Sequence, residues 1–486
     1  MIGKFLWGAA WRTLAFGAVV GVPLWYANRG PDWTGEKLIE AGDTRLEGKV
    51  GVVVVALIQP ETFDQRFYSN FVEKLFTQVI PWPINVLAGA DSGIVLVDPD
   101  KPFQQQRYVP RRLMDIWGRE ADIDGIPWVE KYRRGELRWE KPSATVPHDL
   151  GFYLYPARKQ GMRTATAKTV IKMRYVYYPA LPGGYLPHAS QTRAMGQDAI
   201  ELVKARHGIV AGEVIDAFDP YAKEQAIRRV LDAGADTIIL ASTQPIYSDF
   251  EELEGSFVGV HKIVEVWRGQ HGGKRIKIVI PPYLASQPTY DRLMLANFAA
   301  HAPQARGPGQ AAMGILTLHG LPVSLLGKDS WSGRVAEMSK RLVPQVEAIL
   351  RTKGYARVEA HLAPEAFGDP IEDPDDKQVS VHELYTRAQR EHFAVALASP
   401  LEFMAENTDS LFGHSALMFD GFPGYRTFMG PPPGTDWSKP YARRFQLGKT
   451  SVIYAGAPGG DTLPQQSAAL ADAIGAVFGK LRLGYR

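Results

Sequence analysis

One histidine of the chain stands where an imidazole can work. His319 follows the apolar run Gly314-Ile315-Leu316-Thr317-Leu318 and precedes Gly320-Leu321-Pro322. The run combines β-branched and large aliphatic residues and reads as a strand, which Gly320 and Pro322 then stop. In an open α/β sheet, ligands bind at the carboxyl edge, and a strand that ends in such a loop delivers its last side chain there. An imidazole titrates close to neutral pH, so His319 in that place can take up a proton or bind a metal ion. The other reading is a histidine that only satisfies a loop hydrogen bond.

The His319-Gly320-Leu321-Pro322 loop and the cluster after it, Gly327-Lys328-Asp329-Ser330-Trp331, resemble the signature of the ferrochelatase family. Members of that family insert ferrous iron into protoporphyrin, and the resemblance implies that His319 is the central catalytic residue. Two further stretches carry it. Ser242-Thr243-Gln244-Pro245-Ile246-Tyr247-Ser248 is similar to the family's Thr-Gln-Tyr-Pro-Gln-Tyr-Ser loop. Phe403 to Leu411 resembles Phe-x-Ser-Asp/Glu-His-x-Glu-Thr-Leu, whose second acid faces the motif histidine and falls here on Asp409. The resemblance therefore implies catalysis by His319 and Asp409, and metal contacts from His319, Asp409 and Glu406. It also implies porphyrin contacts from Arg174, Tyr175, Tyr178, Tyr247 and Trp331, although the aromatic residues can equally be core.

The chain departs from the family pattern in several places. Ile58-Gln59 replaces a Gly-Gly pair, and Arg174-Tyr175-Val176-Tyr177-Tyr178-Pro179 has tyrosine where the family's Arg-Tyr-x-His-Pro has histidine. Asn407 replaces a second histidine, and Gly413 and Leu417 stand where relatives carry further acids, with His414 as a substitute nearby. A row of carboxylates on one helical face would guide a hard divalent cation. Most of that row is missing.

Composition narrows the partners. With 486 residues, 45% hydrophobic, 22% charged and a net charge of +3, this is an ordinary globular composition without a basic, aromatic-interleaved patch, which argues against nucleic acid. There is no cysteine, so disulfides, thiolate metal sites and a cysteine nucleophile are excluded. The cysteine-ligated iron–sulfur cluster of some ferrochelatases is excluded too, which leaves Fe²⁺ only as the substrate metal.

The elements that must position these residues follow from pattern. Phe5 to Ala27 is apolar apart from Arg12 and Thr13, with Trp7, Trp11, Trp25 and Tyr26 towards its ends. It reads as a single bilayer span, or as an amphipathic helix on the surface. The first reading makes residues 1–28 a membrane anchor, with other membrane proteins among the expected partners and the globular part in the cytoplasm; residues 29–49 form a linker. Val50 to Ile58 is a near-continuous apolar run, as expected of a strand buried on both faces of a parallel sheet. Strands are also expected at 93–97, 151–155, 169–178, 236–241, 275–280, 357–362, 392–398 and 451–454, with helices at 195–206, 289–300 and 464–481. Alternating strands and helices predict an α/β chain. The resemblance adds two doubly wound, Rossmann-like halves with a central parallel sheet each, 50–270 and 275–486, and insertions at about 80–165 and 180–220.

The expected function is ferrochelatase-like insertion of Fe²⁺ into protoporphyrin in haem biosynthesis, with the tetrapyrrole reached from the bilayer through residues 5–27. The alternative is a non-catalytic haem- or porphyrin-binding protein, or a structural subunit of a membrane complex derived from a chelatase.

Overall fold

The computed structural model describes residues 45–62, 95–96, 153–154, 178, 180–217, 219–321, 329–365, 378–419, 421–425 and 430–479. The expected membrane segment, Arg174 and Tyr175 lie outside the described residues. None of the described helices is long and apolar enough to cross a membrane.

The apolar run at Val50 forms β1 (Val50–Ala56), with every residue after the first buried. β2 (Val95–Leu96) and β3 (Tyr153–Leu154) make a short antiparallel ladder of their own. Then follow α1 (His188–His207), β4 (Ala211–Asp216), α2 (Pro220–Asp232), β5 (Thr237–Ser242), a π-helical segment at Asp249–Phe257, α3 (Val258–Gln270) and β6 (Lys277–Val279). The next elements are α4 (Pro288–His301), β7 (Ala311–Leu318), α5 (Trp331–Thr352), β8 (Arg357–Pro364), α6 (Val381–Arg390) and β9 (Val395–Pro400). The chain continues through a π-helical turn at Asp409–Gly413, α7 (His414–Met418), β10 (Arg443–Leu447), β11 (Thr450–Tyr454) and α8 (Leu463–Gly479).

Two sheets result. The first has the order β4-β1-β5-β6 and the second β10-β11-β9-β7-β8. Within these two sheets all pairings are parallel except β10 with β11. Alternate residues of a strand face opposite sides of a sheet, and the cores follow that rule. Val52, Val54, Ile239 and Ala241 of the first sheet share a core with Ala312, Leu316, Val395 and Leu397 of the second, filled by α1, α4, α5 and α8. The opposite face of the first sheet packs on α2 and α3, and that of the second on α6. The layers therefore alternate helix, sheet, helix, sheet, helix. Helix α5 lies so close to β7 that a Cβ at Gly314 would come within 2.4 Å of a Val346 methyl.

Several sequence expectations need correction. Segment 180–220, expected to be an inserted loop with a helix from Met195, is integral: α1 starts at His188, and β4 completes the first sheet. Strand β4 escapes pattern recognition because it is an edge strand, with Ile215 its one buried residue and Glu213 paired to Arg229. Strand β6, assigned by sequence to the second half, pairs with β5, so the first sheet extends to Val279. The strand expected from His392 starts at Val395 instead. His392 adopts a φ of +60° just past α6, a helix that starts with a Ser380–Glu383 capping box. Tyr178, expected at a strand end, lies in a helical turn, its carbonyl accepting the Leu181 N–H at 2.9 Å.

Candidate active site

The second sheet reverses its strand order between β7 and β9, and loops leave its carboxyl edge there side by side. Switch points of this kind are where open α/β sheets bind ligands. The parallel register sets Leu318 of β7 opposite Pro364 of β8, so His319 and Glu365 emerge next to one another. It also sets Thr317 opposite Pro400 of β9.

His319 is half-buried at this edge. Gly320 behind it has a φ of +94°, a left-handed conformation that a side chain would strain. The turn brings the Gly320 carbonyl within 3.1 Å of His319 Nδ1. Nδ1–H is then the donor, and Nε2 is the acceptor nitrogen of the neutral ring. The His319 backbone N–H donates to Glu402 Oε2 at 2.5 Å, and the Trp331 indole N–H to Glu402 Oε1 at 2.7 Å.

Beside His319 stands a second imidazole. His414 opens α7 directly after the π-helical turn, a local widening that re-aims the side chains following it and often occurs at functional sites. The rings of His319 and His414 are 4.7 Å apart between centroids and inclined at 72°. Phe403 closes the group, 6.2 Å from His319 and 5.5 Å from His414.

His414 and Glu365 are both fully buried, and His414 Nδ1 lies 2.9 Å from Glu365 Oε2. Glu365 Oε1 also accepts the Tyr454 hydroxyl at 2.7 Å and the Thr317 hydroxyl. Burial acts to raise the Glu365 carboxyl. The hydrogen bond and attraction from His414, with the bonds from Thr317 and Tyr454, outweigh it and hold the group below the usual carboxylate range. A carboxylate bonded to one ring nitrogen fixes the tautomer and the orientation of the ring. The other nitrogen, His414 Nε2, is buried and has no hydrogen-bond partner among the described residues. An unpaired polar atom in the interior is costly, and this one is suited to a proton or a metal ion.

The other expected site residues are placed differently. Asp409 accepts the Gln59 side-chain amide at 3.1 Å. Gln59 in turn accepts the Thr408 N–H at 2.8 Å and its hydroxyl at 2.9 Å. The Gln59 backbone N–H donates to His188 Nδ1 at 3.1 Å. Gln59, in the loop after β1, thus ties the carboxyl edge of the first sheet to the π-helical turn beyond β9. Enclosure pushes His188 down to about 4, against the pull of Asp409.

Glu406 is buried with both oxygens engaged: Oε1 accepts the Ala457 N–H at 2.9 Å and Oε2 the Ser410 hydroxyl at 2.5 Å. Burial raises its carboxyl despite the nearby Arg443. The Tyr247 hydroxyl accepts the Ser242 N–H at 3.3 Å inside the core, and burial pushes its pKa up. The Tyr178 hydroxyl donates to the Pro60 carbonyl at 2.6 Å. Trp331 is buried at the start of α5. Among the described residues no three histidine or acidic side chains are gathered to hold a metal ion. His319 and His414 form a pair instead.

Sequence reasoning passed over Glu365, which follows Ala363-Pro364 at the head of an acidic loop. The available signal was an acid directly after a strand. His414 entered only as a substitute for missing acids, and neither Gln59 nor His188 was read as a tie between the sheets.

No protein-family model matches the chain, and no curated protein does either. Among solved structures it is similar to SirB from Bacillus subtilis with Fe³⁺, at 11% identity over 61% of this chain and 92% of that one, with a TM-score of 0.36. It is also similar to the sirohydrochlorin chelatase SirB from Bacillus subtilis subspecies spizizenii in complex with cobalt, at 10% identity over 60% of this chain and 91% of that one, with a TM-score of 0.30. A third is a multi-domain protein from Deinococcus radiodurans with structural similarity to chelatases, at 14% identity over 58% of this chain and 50% of that one, with a TM-score of 0.28. At such distance the chemistry has to be read from the side chains themselves.

Proposed function

We propose that the protein is a tetrapyrrole metal chelatase built from two doubly wound halves, and that its substrates are a divalent metal ion and a tetrapyrrole ring. The observation that carries this reading is the unpartnered His414 Nε2, held by Glu365 and set 4.7 Å ring to ring from His319 at the strand switch point. Metal insertion removes two protons from pyrrole nitrogens for each M²⁺ that enters. His319, half-buried at the edge, is the base that meets the ring. His414 behind it takes a proton on, and Glu365 stabilises the imidazolium that forms. The same acceptor nitrogens suit a divalent ion on its way into the ring. The His319 loop motif makes Fe²⁺ and protoporphyrin IX the first pair to test.

The test is absorbance-monitored insertion of Fe²⁺, Co²⁺ or Zn²⁺ into protoporphyrin IX and into sirohydrochlorin by detergent-purified protein. We expect metalation that falls by about 10²- to 10⁴-fold in His319→Ala and in His414→Ala, the range of positioned acid–base groups. Binding of both tetrapyrroles without metalation overturns the reading.

A further inference from the structure

Glu402 aligns with nothing in the chemistry above, yet it is buried and joins two elements. Its Oε2 holds the His319 backbone N–H, and its Oε1 holds the Trp331 indole N–H. Trp331 is itself pinned. Its backbone N–H donates to Asp329 Oδ1 at 2.8 Å, and the same oxygen accepts the Asp249 N–H at 3.0 Å. Asp249, at the head of the π-helical segment, answers by accepting the Ser330 N–H at 2.7 Å and the Ser330 hydroxyl. Each aspartate therefore caps the start of the other's helical segment. Asp249 belongs to the stretch that follows β5 in the first sheet, whereas Ser330 and Trp331 start the helix that follows β7 in the second. The Arg334 guanidinium, one turn into that helix, donates to the Tyr247 carbonyl and repeats the tie.

We propose that Glu402 is a positioning residue: it transmits the placement of the first-sheet loop, through Asp249, Asp329 and Trp331, to the backbone of His319. This rests on the reading of His319 as the base. The physical argument is directional. A carboxylate can accept from two N–H donors at once, and the charge strengthens both bonds. His319 Nδ1 donates to the Gly320 carbonyl of its own loop, so its tautomer depends on the loop keeping its shape. His414 is held separately, by Glu365.

Glu402→Gln keeps the volume but replaces one acceptor oxygen with an amine donor, so one of the two N–H groups loses its partner. Trp331→Phe removes the indole donor and leaves the backbone cap in place. Both variants are measured in full-length protein in two ways. Long-range proton–nitrogen correlation gives the tautomers of His319 and His414, and metal insertion gives kcat and KM. In Glu402→Gln we expect a mixed His319 tautomer, an unchanged His414, and kcat lower by about 10- to 100-fold, the scale of a displaced reacting group. KM stays within about twofold, because a misplaced base weakens an interaction made in the transition state and not in the bound ground state. Trp331→Phe shifts the same observables in the same direction by a smaller amount.

A mixed His319 tautomer over an intact His414 supports the proposal even if the wild-type protein inserts no metal, in which case only the chelatase reading falls. Wild-type tautomers and kcat in both variants overturn it. Loss of order at both histidines also overturns it, since that marks a general packing role.

Discussion

The two sheets share a strand order at their cores: β4-β1-β5-β6 in the first is repeated as β8-β7-β9-β11 in the second. Each has a switch point, β1 beside β5 and β7 beside β9. The polar groups at the two edges nevertheless do opposite things. In the first sheet, Tyr247 accepts the Ser242 N–H, the Ser242 hydroxyl accepts the Gln244 N–H, and Gln59 reaches across to Thr408 and Asp409. In the second, Glu365 fixes His414 from behind, and the far nitrogen is left unpaired beside His319. A switch point supplies a position, and the side chains decide whether it becomes a clamp or, as we propose for the second sheet, a reaction centre.

The contrast is broken most severely by removing the carboxylate behind His414. Glu365→Gln keeps the shape but loses the charge that orients the imidazole, and supporting residues of this kind are worth about 10- to 100-fold. Steady-state metal insertion checks it; an unchanged kcat would mean that Glu365 serves only Tyr454 and Thr317.

The clamp is tested through stability. Gln59→Ala removes the acceptor of the Thr408 N–H and hydroxyl and the amide that donates to Asp409, which should cost about 1–3 kcal/mol in chemical denaturation. If the edge is only a clamp, tetrapyrrole binding by the folded variant changes little. A large loss of binding with unchanged stability would move Gln59 into the reaction centre.

The last effect is a dependence on pH, confined to acid solution. His188 sits near 4 in the folded protein against 6.5 ordinarily. The unfolded chain then binds more protons between those values, so folding stability is complete above the upper one and declines as pH falls towards the lower. His188→Asn keeps an acceptor for the Gln59 N–H and removes the titration. Melting temperatures of variant and wild type should agree near neutrality and separate in favour of the variant as the solution is acidified from about pH 6.5 to about pH 4. Parallel curves would show that His188 titrates normally.

How far the sequence could be read depended on how buried each element is. Strands buried on both faces, β1, β5 and β7, announce themselves as apolar runs. Edge strands are uneven: β6 and β8 are read from the sequence, whereas β4, mostly half-exposed, and β10, which alternates along its length, are not. Helix α1 is hard to place by amphipathicity because it packs against the first sheet on one side and α8 on another. The site shows the same division. His319 is legible because strand, glycine and proline stand next to it in the chain. Its partners are not, because nothing near Glu365 or His414 in the sequence says that they meet.

By itself, then, the sequence determined the alternation of strands and helices, the absence of thiolate chemistry and the place of His319 at a strand's carboxyl end. The tertiary structure alone decided which side chains surround it. A parallel sheet aligns the ends of β7, β8 and β9 through backbone hydrogen bonds, and that alignment brings Glu365 to the histidine's strand end. The π-helical turn after β9 then sets the direction of His414. The alignment is a consequence of pairing between distant segments, which local residue pattern does not encode.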